Sequence, residues 1–138
     1  MIDRGELFTY LAAQRYAVQA SLGANGPQAA VVGVAVTADL DVVFDTLGST
    51  RKAQNLARDP RIALVVGWEN EQTAQIEGVA DFPAGEELRR LQRRYFEVWP
   101  DGPQRLAWPG IAYVRVRPRW IRYSDFRKSP PRVEELIL

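Results

Sequence analysis

A chain of 138 residues, 46% hydrophobic and 25% charged, has the size and apolar content of a single domain, residues 1–138, with a real core. Its formal net charge is +1 and its acids are interleaved with its bases, so no footprint for nucleic acid is read from it. Having neither cysteine nor histidine, it excludes disulfides, thiolate nucleophiles, Ser-His-Asp triads, heme held by histidine and His-containing zinc sites. No acidic spacing suggests an oxygen-only metal site. The lack of cysteine fits a cytoplasmic protein. The opening MIDRGELFTYL carries acids and no long apolar run, and about 18 consecutive apolar residues occur nowhere, so neither signal peptide nor membrane span is expected.

Asp3 to Gln14 reads as a helix: Asp3 can cap it, Glu6 follows three residues on, and Leu7, Tyr10 and Leu11 form an apolar stripe. Arg15 to Leu22 reads as a strand with Tyr16, Val18 and Ala20 on one face. Gly23 to Pro27 is a turn. Gln28 to Thr37 is rich in valine, the pattern of a strand buried on both faces. Ala38-Asp39-Leu40 turns the chain again, and Asp41 to Thr46 is the next strand.

Ser49 to Ala57 reads as a short basic helix with an unusual order of charge. Ser49 or Thr50 is its N-cap, which puts Arg51 and Lys52 in the first turn. Free N–H groups and partial positive charge at that end favour acids and disfavour each cation by ~0.3–1 kcal/mol. At the far end, Arg58-Asp59-Pro60 also puts an acid where a base would serve better. An anion at the N-terminus resolves the first misfit, because N–H groups, a hydroxyl and two cations would all face it; a phosphate is the natural candidate. The alternative is that Arg51 and Lys52 are simply solvated.

Arg61 to Trp68 is a further strand, Glu69-Asn70-Glu71 a turn, and Thr73 to Phe82 the strand running back. Glu86 to Val98 is a second helix, with acids first and Arg89, Arg90, Arg93 and Arg94 later, as the helix dipole prefers. Glu86 and Arg90 can pair at i,i+4, Leu88, Leu91 and Tyr95 form the apolar stripe, and the arginines read as a solvated face. Trp99 to Gly110 is a loop. Ile111 to Arg117 and Trp120 to Tyr123 are two closing strands bent at Pro118. The last dozen residues, with Pro130-Pro131, read as a tail that drapes over a neighbour or stays loose. Six or seven short strands, the middle ones joined by hairpins, favour an antiparallel β-barrel over a parallel sheet.

Phe44-Asp45-Thr46, Ser49-Thr50-Arg51-Lys52, Asn55-Leu56, Asp59-Pro60, Ala63 to Trp68 and Ile76-Glu77-Gly78, in that order, resemble the pyridoxamine 5'-phosphate oxidase-like family, the flavin-binding split β-barrels. The resemblance runs from Tyr16 to Phe126. It implies a mainly β, six- to seven-stranded antiparallel split barrel that forms a homodimer with FMN at the subunit interface. Carried over, Arg51 and Lys52 clamp the FMN phosphate and Ser49 donates to it. Val31, Val32 and Gly33 lie along the isoalloxazine ring, and Asp45 and Thr46 approach the ring or the ribityl chain. Gln72 or Thr73 reaches the cofactor from the next strand, and Trp120 and Arg122 meet it across the dimer. Each has a plainer alternative: Val31, Val32 and Trp120 as packing, Ser49 as a cap, Asp45 as a solvent-facing acid.

The chain also departs from the family. Pyridoxamine phosphate oxidases proper carry an Arg and a Lys on the strand matching Ala30 to Ala35, where this chain has alanine. It lacks their C-terminal segment with Arg, His and Asp, and has Thr73 where a flavin-contacting Gln stands. Oxidation of vitamin B6 is therefore not expected. The expectation is an FMN-dependent oxidoreductase acting on an unknown small molecule, with no catalytic side chain assigned, no metal, and no nucleic-acid or membrane partner. Trp99 and Trp108 either stack on substrate or pack at the interface. A deazaflavin-dependent reductase is the first alternative; its longer, more acidic cofactor would need further cations, for which Arg58, Arg61 and Arg117 stand available. A non-catalytic flavin-binding or sensor dimer is the second.

Overall fold

The computed structural model describes all 138 residues. Helix α1 spans Arg4–Ala12, and Asp3 caps it by accepting from the Glu6 N–H at 3.0 Å. Strands β1 (Tyr16–Gly23) and β2 (Gly26–Gly33) form a hairpin; β3 (Ala35–Val36) and β4 (Val42–Leu47) follow. Helix α2 (Arg51–Arg58) precedes the hairpin of β5 (Arg61–Val66) and β6 (Gln72–Asp81). Helix α3 (Gly85–Val98), a 3-10 helix over Gly102–Ala107, and strands β7 (Ile111–Asp125) and β8 (Arg132–Ile137) complete the chain.

All eight strands pair antiparallel in one curled sheet of order β2-β1-β5-β6-β7-β4-β3, with β8 on the far part of β7. The two ends of that order, β2 and β3, are separated in sequence by Val34 alone. One run of chain therefore closes the half-barrel covalently, where hydrogen bonds between edge strands do not. Leu7 and Leu11 of α1 plug the main core against Phe44, Ile76, Val114, Val116 and Ile121. On the other face of β4, Val43 joins Leu91, Tyr95 and Tyr113 under α3. Strand alternation sends Phe44 and Val43 to these two separate cores.

The sequence reading is corrected at several points. Ala17, Gln19 and Ser21 face inward on β1, and Tyr16 is half exposed, so the face carrying Tyr16, Val18 and Ala20 is the outer one. The inward side is already filled by Ile62, Leu64 and Val66, the register partners of Ser21, Gln19 and Ala17, which leaves room for smaller or polar groups. The run expected to be buried on both faces breaks at Gly33. Only Val34 to Thr37 is so buried, because β2 is an edge strand with no neighbour beyond it.

Strand β7 runs unbroken through Pro118, absorbed by a bulge opposite Glu77 and Gly78. A Cβ at Gly78 would lie 2.4 Å from the Arg117 carbonyl oxygen, so only glycine fits the bulge. The expected tail is β8: its Leu136 is buried in the main core and its Arg132 pairs with Glu6 and Glu134. The strands thus number eight. On α3 the pairs are i,i+3, Glu86–Arg89 and Glu87–Arg90, and Arg94 donates to the Val36 carbonyl at 2.9 Å. Part of the supposed loop after Trp99 is the 3-10 helix. No helix is long and apolar enough to cross a membrane.

Candidate functional site

Thr50, not Ser49, is the N-cap of α2: its Oγ1 accepts from the Ala53 N–H at 3.3 Å, while Ser49 is exposed. The Thr50 hydroxyl also lies 2.9 Å from Thr46 Oγ1, which ties the helix start to β4. Arg51 and Lys52 occupy the first turn, with no acid beside them. One step along the helix, Asn55 is buried. Its Nδ2 donates to Ser21 Oγ at 3.1 Å and to Gln28 Oε1 at 2.9 Å, and its Oδ1 accepts from Arg58 at 2.8 Å. The same Gln28 oxygen accepts from Arg51 Nε at 3.2 Å. Asn55 thus pins α2 to the β1–β2 hairpin and, through Gln28, sets the direction of the Arg51 guanidinium.

Arg51 and Lys52 line a cavity of about 450 Å³ together with Gln19, Ser21, Pro27, Gln28, Ala29 and Ala30. The lining holds two cations, two carboxamides, one hydroxyl and no carboxylate. Gln19 is 1% exposed, and its Oε1 has no hydrogen-bond partner. Two cations at a helix N-terminus, with no carboxylate beside them, suit an anion.

The other residues expected at the site fall into different surroundings. Thr46 is buried beside the α2 cap. Asp45 points to the opposite face of β4, where its Oδ2 accepts from Arg105 Nε at 2.7 Å and its Oδ1 from the Tyr95 hydroxyl at 3.2 Å. Burial first, and the adjacent Asp45 carboxylate second, hold the Tyr95 phenol well above its usual range. Arg105 is held firmly charged by Asp45 and by Asp101.

Val32 is buried, whereas Val31 is 61% exposed on the outer face. A Cβ on Gly33 would meet the Trp99 ring at 2.6 Å. That indole is locked by a 3.0 Å bond to the Val34 carbonyl and by the Arg15 guanidinium 4.3 Å from its centroid. Trp108 remains half exposed.

Thr73, Trp120 and Arg122 share the outer face with Val31, by strand alternation and register. Glu135 of β8 accepts from Trp120 Nε1 at 3.2 Å and pairs with Arg122 at 2.6 Å. Arg122, and then Trp120, hold the Glu135 carboxyl below its usual range. Trp120 closes a hollow of about 370 Å³ with Val18, Ala20 and Val65; beside it a second, of about 500 Å³, has Arg61 and Arg119 on its rim. The chain therefore gathers Thr46, Arg51 and Lys52 around α2, and sets Val31, Thr73, Trp120 and Arg122 on the other side of the sheet.

Sequence reasoning assigned no role to Gln19 or Asn55. For Asn55 a signal existed, since it stands four residues after Arg51 on the same helix face. Gln19 gave none.

Residues 4–125 match the sequence model of pyridoxamine 5'-phosphate oxidase, and the chain belongs to that family. Among solved structures, a heme-binding protein from Mycobacterium smegmatis superposes with a TM-score of 0.83 at 18% identity, covering 99% of this chain; the chain spans 59% of that protein's length. A pyridoxamine 5'-phosphate oxidase-related, FMN-binding protein from Nostoc punctiforme gives a TM-score of 0.66 at 12% identity, over 98% of this chain and 92% of that one. HutZ, the heme storage protein of Vibrio cholerae, gives 0.72 at 15% identity, over 86% and 91%. No curated protein matches the sequence significantly. At these identities the likeness is one of fold, and a fold of this kind serves more than one ligand.

Proposed function

We propose that the chain is an FMN-dependent oxidoreductase acting on a small molecule, a cytoplasmic homodimer whose flavin phosphate sits in the α2 cavity. The observation that carries this is the pairing of Arg51 and Lys52 in the first turn of α2 beside a cavity with no carboxylate. Bound FMN would supply the electron or hydride transfer, which no side chain here needs to provide. Arg51, aimed by Gln28 and Asn55, would bind two phosphate oxygens, and Lys52 would offset the remaining charge. Ala29 and Ala30 leave the cavity open. The apolar outer face, with Val31, Val65 and Tyr16 exposed, would receive the second protomer. That placement would bring Thr73, Trp120 and Arg122 of one chain to the flavin held by the other. Arg105 and Tyr95 occupy Asp45, so it would support the site rather than touch the ring.

Two rivals are weaker on specific grounds. A deazaflavin cofactor would call on Arg58, Arg61 and Arg117, but Arg58 is bonded to Asn55 and Arg61 to Asp59 at 2.6 Å, which leaves Arg117 alone. Heme, which two of the structural relatives bind, needs an axial donor, and a chain without histidine or cysteine leaves tyrosine and its one methionine. The test is the visible spectrum of the purified protein, with mass spectrometry of what heat releases and a titration with FMN. Yellow protein releasing FMN, or tight uptake of added FMN, is expected. Colourless protein that ignores FMN in titration removes the reading. Arg51→Ala with Lys52→Ala should weaken FMN binding roughly 100-fold, the loss of two charge-assisted contacts, without unfolding the protein.

A further inference from the structure

We infer that Gln19 reads a hydroxyl on the ligand's chain, so that the α2 cavity selects a phosphorylated polyol over a bare anion. This rests on the reading above, that the cavity takes the phosphate end of a flavin. The other buried polar side chains around the cavity are accounted for. Gln28 Oε1 accepts from both Asn55 and Arg51, Asn55 gives to Ser21 and Gln28, and its own oxygen is taken by Arg58. Gln19 alone is left out, 1% exposed and with its Oε1 unpartnered. A core strand position occupied for stability alone would carry an aliphatic side chain, because an unpaired buried carbonyl loses its water and gains nothing. Its register partner on β2 is Ala30, too short to cover the carboxamide from that side.

The chemistry of the missing partner follows from the atom. A carbonyl oxygen accepts and cannot bind an unprotonated phosphate oxygen, which also accepts; it needs an O–H or N–H. Gln19 lines the same cavity of about 450 Å³ as Arg51 and Lys52, which supply what a phosphate needs. A ligand satisfying both ends carries an anion at one place and a donor hydroxyl a few atoms away. The ribityl phosphate arm of FMN has this pattern, and inorganic phosphate does not.

Gln19→Met, which keeps length and removes the polar atoms, is compared with wild type and with Arg51→Ala/Lys52→Ala. Flavin fluorescence gives the affinities for FMN and riboflavin, with inorganic phosphate as competitor. Gln19→Met should weaken FMN and riboflavin alike by about tenfold, the effect of one ordinary hydrogen bond, and leave competition by phosphate unchanged. The ligand-free variant should melt higher than wild type. The double variant should lose FMN and phosphate and keep its riboflavin affinity. FMN affinity within twofold of wild type in Gln19→Met, alongside loss in the double variant, overturns the role of Gln19 and leaves the phosphate site standing. Retention of FMN by the double variant overturns both. Should Gln19→Met not fold, a flavin with a pentyl phosphate chain in place of ribityl phosphate asks the same question of wild type. It should bind about tenfold more weakly than FMN, and equal affinity overturns the inference.

Discussion

Arg105 reaches from the 3-10 helix to Asp45 on β4, and the two side chains are only 16% and 14% exposed. Asp101 holds the same guanidinium at 2.7 Å, and the Tyr95 hydroxyl holds the same carboxylate. The group fastens the segment after α3 onto the face of β4 that turns away from α2. Removing one member of a largely buried pair leaves the other charged and poorly solvated, which costs more than the pair contributes. Asp45→Ala should therefore destabilise the protein by about 2–4 kcal/mol, even though Asp101 remains on Arg105. Urea unfolding followed by tryptophan fluorescence reads this, and a loss below ~0.5 kcal/mol would show that solvent already relieves Arg105.

At the scale of elements, α2 is where the local signals agree. Its cap belongs to Thr50, so Thr50→Ala should cost about 1 kcal/mol or somewhat more, because the contact to Thr46 goes with it. Ser49→Ala should change stability by less than ~0.5 kcal/mol. Equal losses in the two variants would contradict the assignment. Helix α2 and its misplaced cations were legible because a cap, a first turn and a charge order lie within ten residues of one another.

Other elements were legible only in part, for physical reasons. Alternation along β1 marked two faces but not which was inside: Tyr16, Val18 and Ala20 look more like a core than Ala17, Gln19 and Ser21 do. The choice is made by Ile62, Leu64 and Val66 on a strand about 45 residues away. Edge position exposes β2 despite its valines, and pairing with β7 orders β8 despite the two prolines that precede it. The same limit applies to the site. Arg51 and Lys52 announced themselves by charge, whereas Gln19 reads like any polar strand residue until its burial is known, and the turning of Asp45 toward α3 depends on the sheet.

For the molecule as a whole, the response to pH should be a broad plateau with two flanks. Arg61 holds the Asp59 carboxyl down at about 2, and partner arginines hold Glu6, Glu87, Asp101 and Glu135 below their usual range. For groups lowered by folding, the contribution is complete above the ordinary carboxylate range near pH ~4 and is lost as pH falls toward 2. Burial pushes the Tyr10 phenol up to about 12 and also raises Tyr95. For groups raised by folding, the contribution is complete below the ordinary phenol value near pH ~10 and is lost as pH rises through the folded value. No histidine or cysteine is present to titrate between the flanks. The urea midpoint should stay level from about pH 5 to 9 and fall on either side; a step near pH 6.5 would be inconsistent with this charge inventory.

The exposed face of β1, β2 and β5 belongs to the same scale. If it seats the second protomer, Val31→Asp with Val65→Asp should turn a dimer into a monomer in light scattering. A wild-type protein already monomeric at micromolar concentration would exclude that arrangement.

Strand β7 pairs with β4 along its first half, with β6 along its second, and with β8 beyond Trp120. Before it exists, β2-β1-β5-β6 can form one sheet through the β1–β5 pairing, but the short pair β3–β4 has no strand to join it there, and the main core lacks Val114, Val116 and Ile121. The last of the central strands to be made is thus the one that joins β4 and β3 to the other four. A ribosome translating this chain carries an incomplete sheet until β7 has been made, with apolar faces and unpaired edges exposed. Folding is decided after Asp125 is free, by closures between distant segments, and in that interval the nascent protein has most need of a chaperone.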